Sequence, residues 1–181
     1  MAPESIDFLR QHLPYRDCVG IALFNRRGEV FIGRRIMGSD SERAPEHGAP
    51  WQMPQGGIDK GEDQLDAAHR ELFEETNVTS VQLLAEAPGW IYYDLPDEAL
   101  GTALKGKYRG QRQRWFAFLF TGNETEIDVV TPGGGKFHAE FDRWRWEELA
   151  NTPDLIVEFK REAYREVVKA FADVPPELRN A

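Results

Sequence analysis

Cysteine is almost missing from the 181-residue chain: Cys18 stands alone, which excludes an internal disulfide and a cysteine-rich zinc site. Long apolar runs are missing too. No stretch approaches the roughly 18 residues that cross a bilayer, and the mean hydropathy is −0.56. The opening residues, MAPESIDFLRQHLP, carry neither a basic start nor an apolar core, so they do not read as a secretory signal. Positive charge is in deficit, with 22 Lys+Arg against 31 Asp+Glu and a net charge of −9. Such a balance repels a long phosphate backbone and argues against a duplex DNA surface, while a local basic pocket for one nucleic-acid end stays compatible. The four histidines, His12, His47, His69 and His138, fall at no zinc-ligand spacing. No repeat, low-complexity tract or Ser/Gly linker divides the chain. What remains is 41% apolar and 12% aromatic residues, enough for one core, and the expectation is a cytoplasmic single-domain protein with no membrane contact.

Residues 19–24 are apolar and β-prone, Asn25-Arg26-Arg27-Gly28 has turn chemistry, and residues 30–33 resume, which predicts a hairpin over 18–35. Residues 37–50 read as a loop by composition. Residues 63–76 contain no Gly or Pro and are good helix formers. Strands are expected at 81–84, 90–93 and 112–120, the last apolar on nearly every residue after Trp115, as in a strand buried on both faces. A short strand at 124–130, a turn at 131–136 and a strand at 141–146 follow. Residues 157–171 close the chain as a helix, with Phe159, Ala163, Val167, Ala170 and Phe171 forming its apolar stripe. This order predicts an α/β fold in which helices cover both faces of a mixed sheet.

The chemistry is concentrated in residues 56–78, GGIDKGEDQLDAAHRELFEETNV. At about 100° per residue, Leu65, Ala68 and Leu72 stack on one side of the helix and are assigned to the core. Glu71, Glu74 and Glu75 share a second face within one turn, where each like pair costs about 0.2–0.5 kcal/mol. They also lie toward the C-terminal half, where the helix dipole disfavours negative charge. A hard divalent cation, Mg²⁺ or Mn²⁺, is the simplest compensation for an all-oxygen set. A plainly solvated acidic face explains three glutamates as well, and Arg70, four residues before Glu74, pairs part of the charge internally. The frame adds to the first reading: Gly56-Gly57 supplies a tight turn open to a ligand, and Asn77 is a tolerated left-handed cap.

Residues 56–78 resemble the Nudix box, G-x5-E-x7-R-E-U-x-E-E-x-G-U with U apolar. Gly56, Glu62, Arg70, Glu71, Leu72, Glu74, Glu75 and Val78 fall on the pattern, and Asn77 stands where the last glycine is usual. Trp51-Gln52-Met53-Pro54-Gln55-Gly56-Gly57, Gln111–Trp115 (QRQRW), Glu140-Phe141-Asp142 with Trp144-Arg145-Trp146, and Phe159-Lys160-Arg161 look like the bacterial RNA pyrophosphohydrolase branch, which also contains dinucleoside polyphosphate hydrolases. The resemblance covers roughly residues 15–172, leaving 1–14 as an N-terminal extension and 173–181 as a tail. It implies the Nudix α/β/α sandwich with a mixed sheet and a hydrolase of phosphoanhydride bonds.

The resemblance implies Glu71, Glu74 and Glu75 as metal ligands, with the Gly56 carbonyl as an addition. Either Glu71 or Glu140 acts as the base, and Glu140 reaches the metals from the loop before the last strand. Gly57, Glu62 and Arg70 support the loop-helix geometry. Arg16 and Arg35 are the implied phosphate contacts; alternation puts one of Arg34 and Arg35 on the site face. Phe159 and Lys160 stack on a base and hold a phosphate, although Phe159 equally fits the core stripe. Tyr93 and Gln111 join from neighbouring strands, and Trp51 and Trp90 border the cleft. Gly133-Gly134-Gly135-Lys136 lacks the frame of a phosphate loop. The implied reaction removes pyrophosphate from a 5′-triphosphate, or phosphate from a 5′-diphosphate, to leave monophosphorylated RNA. The alternatives are a diadenosine polyphosphate hydrolase releasing ATP, and a non-catalytic nucleotide-sensing module, which would ordinarily lose box glutamates.

Overall fold

The computed structural model describes residues 5–36 and 50–181; the expected loop, Pro50 apart, lies outside the described residues, as does His47. The predicted hairpin is present as β1 (Tyr15–Phe24) and β2 (Val30–Arg35), antiparallel to each other. Two short strands follow, β3 (Trp51–Gln52) and β4 (Gln55–Gly57), then α2 (Gln64–Thr76), preceded in the chain by α1 (Ile6–His12). The remaining strands are β5 (Val81–Glu86), β6 (Ile91–Asp94), β7 (Gly110–Phe120) and β8 (Phe141–Glu147). The sheet runs β3-β2-β1-β7-β5, with β4 on β1, β6 on β7 and β8 on β2. At its centre β1 and β7 pair in parallel from Tyr15↔Gly110 to Phe24↔Leu119, so the sheet is mixed.

Strand alternation builds two cores from these two strands. Val19, Ile21 and Leu23 of β1 and Phe116, Phe118 and Phe120 of β7 face α2, which supplies Ala67, Ala68 and Leu72, with Leu65 packed at the edge. Ala22 and Phe24 with Trp115 and Ala117 face the opposite way, onto α5 (Arg161–Ala170) through Ala163, Tyr164 and Val167. A strand buried on both faces is what the apolar run after Trp115 required.

α2 begins at Asp63, whose carboxylate accepts from Leu65 N (2.9 Å) and Asp66 N (3.2 Å) and satisfies two of the free amides of the first turn. It ends at Asn77, left-handed at φ 66°. The Asn77 side chain does more than tolerate that conformation: Nδ2 donates to the Glu126 carbonyl (2.9 Å), and Oδ1 accepts from Gly133 N (3.1 Å).

Three expectations are corrected. Residues 124–130 form no strand: a 3₁₀ turn, Glu124–Glu126, is capped by Asn123, and Asp128 accepts from Val130 N and Thr131 N. These short polar side chains capture the backbone amides that a ladder would need. Residues 131–136 do turn, through left-handed Gly133, Gly134 and Gly135, with the four-residue α3 (Pro132–Gly135) inside the turn. The closing helix starts later than expected, because Glu158–Lys160 is a 3₁₀ turn before α5. On α5 Tyr164 is buried in the stripe, whereas Ala170 is exposed. After the one-turn α4 (Thr152–Leu155) and α5, a further helix, α6 (Val174–Asn180), carries prolines in its first turn, where their missing N–H is harmless. It docks on the hairpin turn through Arg179, which donates to the Arg27 carbonyl (2.9 Å) and pairs with Glu148 (2.7 Å).

Candidate active site

The two box glycines are not a turn. Gly56 and Gly57 lie in β4, extended against Val19 and Cys18 of β1. Their value is close approach: a Cβ on Gly56 would overlap the Glu71 carboxyl, and one on Gly57 would overlap the Arg16 guanidinium. The bare strand thus lets a carboxylate from α2 and a cation from β1 settle on backbone. Arg70 fixes the loop between. Its Nε and Nη2 donate to the two oxygens of Glu62 (2.7 and 2.8 Å), Nη2 also to the Gly57 carbonyl (2.8 Å), and Nη1 to Glu71 Oε1 (2.7 Å). Glu62 Oε2 also accepts from Asp59 N (2.9 Å). The Arg70 guanidinium holds the Glu62 carboxyl down to about 2.

Beside this unit opens a pocket of about 580 Å³. Arg16, Arg35 and Lys160 line it as cations, and Glu71, Glu75 and Glu140 as acids. Gln111 and Tyr93 form the wall from β7 and β6, and Gly56 and Gly57 the floor beside α2. Arg35 stands 3.8 Å from Glu140, while its neighbour Arg34 points away to Asp142 (2.5 Å). The two arginines part at an irregularity in the β2–β8 pairing. Lys160 is buried, with Nζ 5.2 Å from the Tyr93 ring centroid and 5.7 Å from that of Phe159.

Other expected residues fall outside the lining. Glu74 sits beside Arg70 Nη1 at 3.5 Å, on the flank of the helix and not in the cavity. Phe159 packs on Tyr93 (5.7 Å between ring centroids) and against the α5 core. Neither Trp51 nor Trp90 borders the pocket. Trp51 lies under Arg145 and Trp90 under Arg112, each at 4.4 Å. The register Ile91↔Gln113 puts Trp90 on the sheet face opposite Tyr93 and Gln111. Sequence reasoning missed Gln52, Gln55 and His138, all of which line the cavity. The two glutamines stood in the segment WQMPQGG beside the box and carried the available signal.

Burial pushes the Glu75 carboxyl well up, the charges of Glu71 and Glu140 add to this, and the Gln55 N–H (3.2 Å from Oε2) and Arg35 oppose it. Burial raises Glu71 as well, against the pull of Arg70. Desolvated oxygen ligands that repel one another are the donor set a hard divalent cation relieves. Among the described residues no three His, Cys, Asp or Glu converge to cage an ion unaided. The all-oxygen chemistry of Glu71, Glu75 and the Gly56 carbonyl fits an ion of the Mg²⁺ type, which takes water and ligand oxygens into its shell.

The chain matches the model of the NUDIX domain over residues 14–167. It is 58% identical over 170 residues to the RNA pyrophosphohydrolase of Mesorhizobium japonicum, covering 94% of this chain and 97% of that one. It is 57% identical over 164 residues to the RNA pyrophosphohydrolase of Rhizobium meliloti, covering 90% and 96%. In fold it is similar to a C. elegans Ap4A hydrolase binary complex (TM-score 0.56, 19% identity, 87% of this chain and 98% of that one). The E. coli dihydroneopterin triphosphate pyrophosphohydrolase is similar too (TM-score 0.58, 16% identity, 86% and 98%). Box, mixed sheet and matched length agree, and the chain belongs to the NUDIX family.

Proposed function

We propose that this chain is an RNA pyrophosphohydrolase, converting the 5′-triphosphate or 5′-diphosphate end of RNA to a monophosphate. The observation that carries the reading is the opposition, across one open pocket, of Arg16, Arg35 and Lys160 to Glu71, Glu75 and Glu140. A polyphosphate needs the first set, and a divalent cation bridging to it needs the second. Relatives of the same length carrying that name supply the choice of RNA. A single terminal pocket also suits a chain of net charge −9, because only the end of the RNA must be held.

Glu71 and Glu75 would hold the ion with the Gly56 carbonyl, Glu140 faces it from across the pocket, and Glu74 stands by on the helix flank. When bound, Mg²⁺ or Mn²⁺ neutralises the phosphates and acidifies a water. Arg16, Arg35 and Lys160 orient the phosphate chain, and Gln111 and Tyr93 meet the first nucleotide. Phe159 acts through Tyr93, against which it packs. Glu71 is tied to Arg70 and Glu75 accepts from Gln55, whereas Glu140 is half-exposed with Arg35 at 3.8 Å. Glu140 is thus free to take the proton of the attacking water as its oxygen bonds to phosphorus and the bridging P–O bond breaks. Arg70, Glu62 and Gly57 hold α2 and β4 in register for this. The protein works in the cytoplasm, and among the described residues no helix is long and apolar enough to cross a membrane.

The test compares kcat/KM for 5′-triphosphorylated RNA and diadenosine tetraphosphate with Mg²⁺, because that ratio measures discrimination. A higher value for RNA is expected. A higher value for the dinucleotide makes the chain a diadenosine polyphosphate hydrolase, and turnover of neither makes it a nucleotide sensor.

A further inference from the structure

We propose that Gln113 is a positioning residue that sets the hydrogen-bonding sense of the pocket wall, making it a wall of donors toward the substrate. The proposal rests on the polyphosphate reading of the pocket. The chain of bonds starts in the core. Trp115 is fully buried, packed edge-on against Tyr164 (5.8 Å, 85°) and over Gly20, where a Cβ would enter its ring. Its indole N–H is a donor and nothing else. It donates to Gln113 Oε1 at 3.0 Å, so the Gln113 amide has one orientation, with its NH₂ toward the site. Both protons of that NH₂ are used: Nε2 donates to Gln55 Oε1 (2.7 Å) and to Gln111 Oε1 (3.0 Å).

The consequence passes one residue further. Gln55 and Gln111 must each present oxygen to Gln113, and each therefore turns its own NH₂ outward. Gln111 and Gln113 are 3% exposed, so neither amide is reoriented by bulk water. Among the described residues neither Gln55 Nε2 nor Gln111 Nε2 is a fully buried side-chain atom left without a partner. Both NH₂ groups consequently open on the pocket, which both residues line. With Arg16, Arg35 and Lys160 they complete a surface made of donors, to which phosphate and base-edge oxygens are complementary. The reverse orientation would set two carbonyl oxygens against an anion. A donor-only indole three links from the cavity thereby selects an acceptor-rich ligand.

The orientation is tested on the wild-type protein by NMR hydrogen exchange of side-chain amides, which needs no substrate. Slow exchange of the Gln113 NH₂ and fast exchange of the Gln111 NH₂ are expected; the reverse pattern overturns the proposal. Kinetics with 5′-triphosphorylated RNA and Mg²⁺ then test the consequence. Gln113→Met, close in shape and neutral, should raise KM about tenfold and leave kcat within twofold, as expected for about 1.4 kcal/mol of lost oriented bonding. In a Gln55→Met/Gln111→Met background the same substitution should leave KM unchanged. An equal loss in both backgrounds, or a fall in kcat without a rise in KM, makes Gln113 a packing residue and refutes the role. If the wild type shows the expected exchange but turns over no RNA, the substrate reading falls and the amide orientation stands.

Discussion

The Asn77 side chain is predicted to stabilise the fold beyond its role as a left-handed cap. It makes two bonds to backbone far along the chain, to the Glu126 carbonyl and from Gly133 N. At about 1 kcal/mol each, Asn77→Gly loses roughly 2 kcal/mol while keeping an easy positive φ. Asn77→Ala loses the same bonds and adds about 1 kcal/mol for a Cβ held in the left-handed region, roughly 3 kcal/mol in all. For a domain of this size those losses correspond to Tm reductions of about 4–8 °C and 6–12 °C. Urea unfolding of the three proteins, with Tm by calorimetry, should rank them wild type, then Gly, then Ala. Because Asn77 does not line the pocket, kcat at a temperature where all three are folded should stay within twofold. An Asn77→Gly protein as stable as the wild type would refute the reasoning, since the residue would then be a cap and nothing more.

Glu75→Gln should lower kcat on triphosphorylated RNA by at least about 100-fold with no loss of Tm, because the amide removes a desolvated charge; an active variant would take Glu75 out of the site. Glu62→Gln should give a stability deficit that is full at pH 7, because a carboxyl held at about 2 against an ordinary 4.5 stabilises the folded state above 4.5. Urea titrations should show that deficit narrowing as pH falls from 4.5 toward 2, and a deficit independent of pH would break the link to Arg70. Cys18 is fully buried with its thiol pushed up to about 12 by burial, so a thiol reagent at pH 8 should label the protein only on unfolding.

Much of the fold was legible because its signals are local. The capped, glycine-free helix, the 18–35 hairpin and the doubly apolar strand each announce themselves within a dozen residues. The segment 124–130 misled because its β-prone residues are outvoted by Asn123 and Asp128, whose side chains take the backbone amides. Tyr164 replaced Ala170 in the α5 stripe because the buried arc is centred on Val167 between Ala163 and Tyr164, which leaves Ala170 at its edge. In the site, the box named its carboxylates, but sequence does not say which of them face a cavity: Glu71 and Glu75 do and Glu74 does not. Gln113 and His138 were not legible for another reason. Their roles depend on strand register and on donor chemistry several residues away.

The parallel pairing of β1 with β7 also sets a timetable for synthesis. Asp17 and Arg112, which pair across it, are 95 residues apart in the chain, so a growing polypeptide carries β1 without its neighbour for more than half of its length. The box helix can coil as soon as it emerges, yet Arg16 meets Gln111 only after β7 is made, and Glu140 and Lys160 follow later still. Long-range pairing of this kind folds late and cooperatively. A polypeptide released prematurely from the ribosome thus carries the box glutamates without the walls that would give them something to cut.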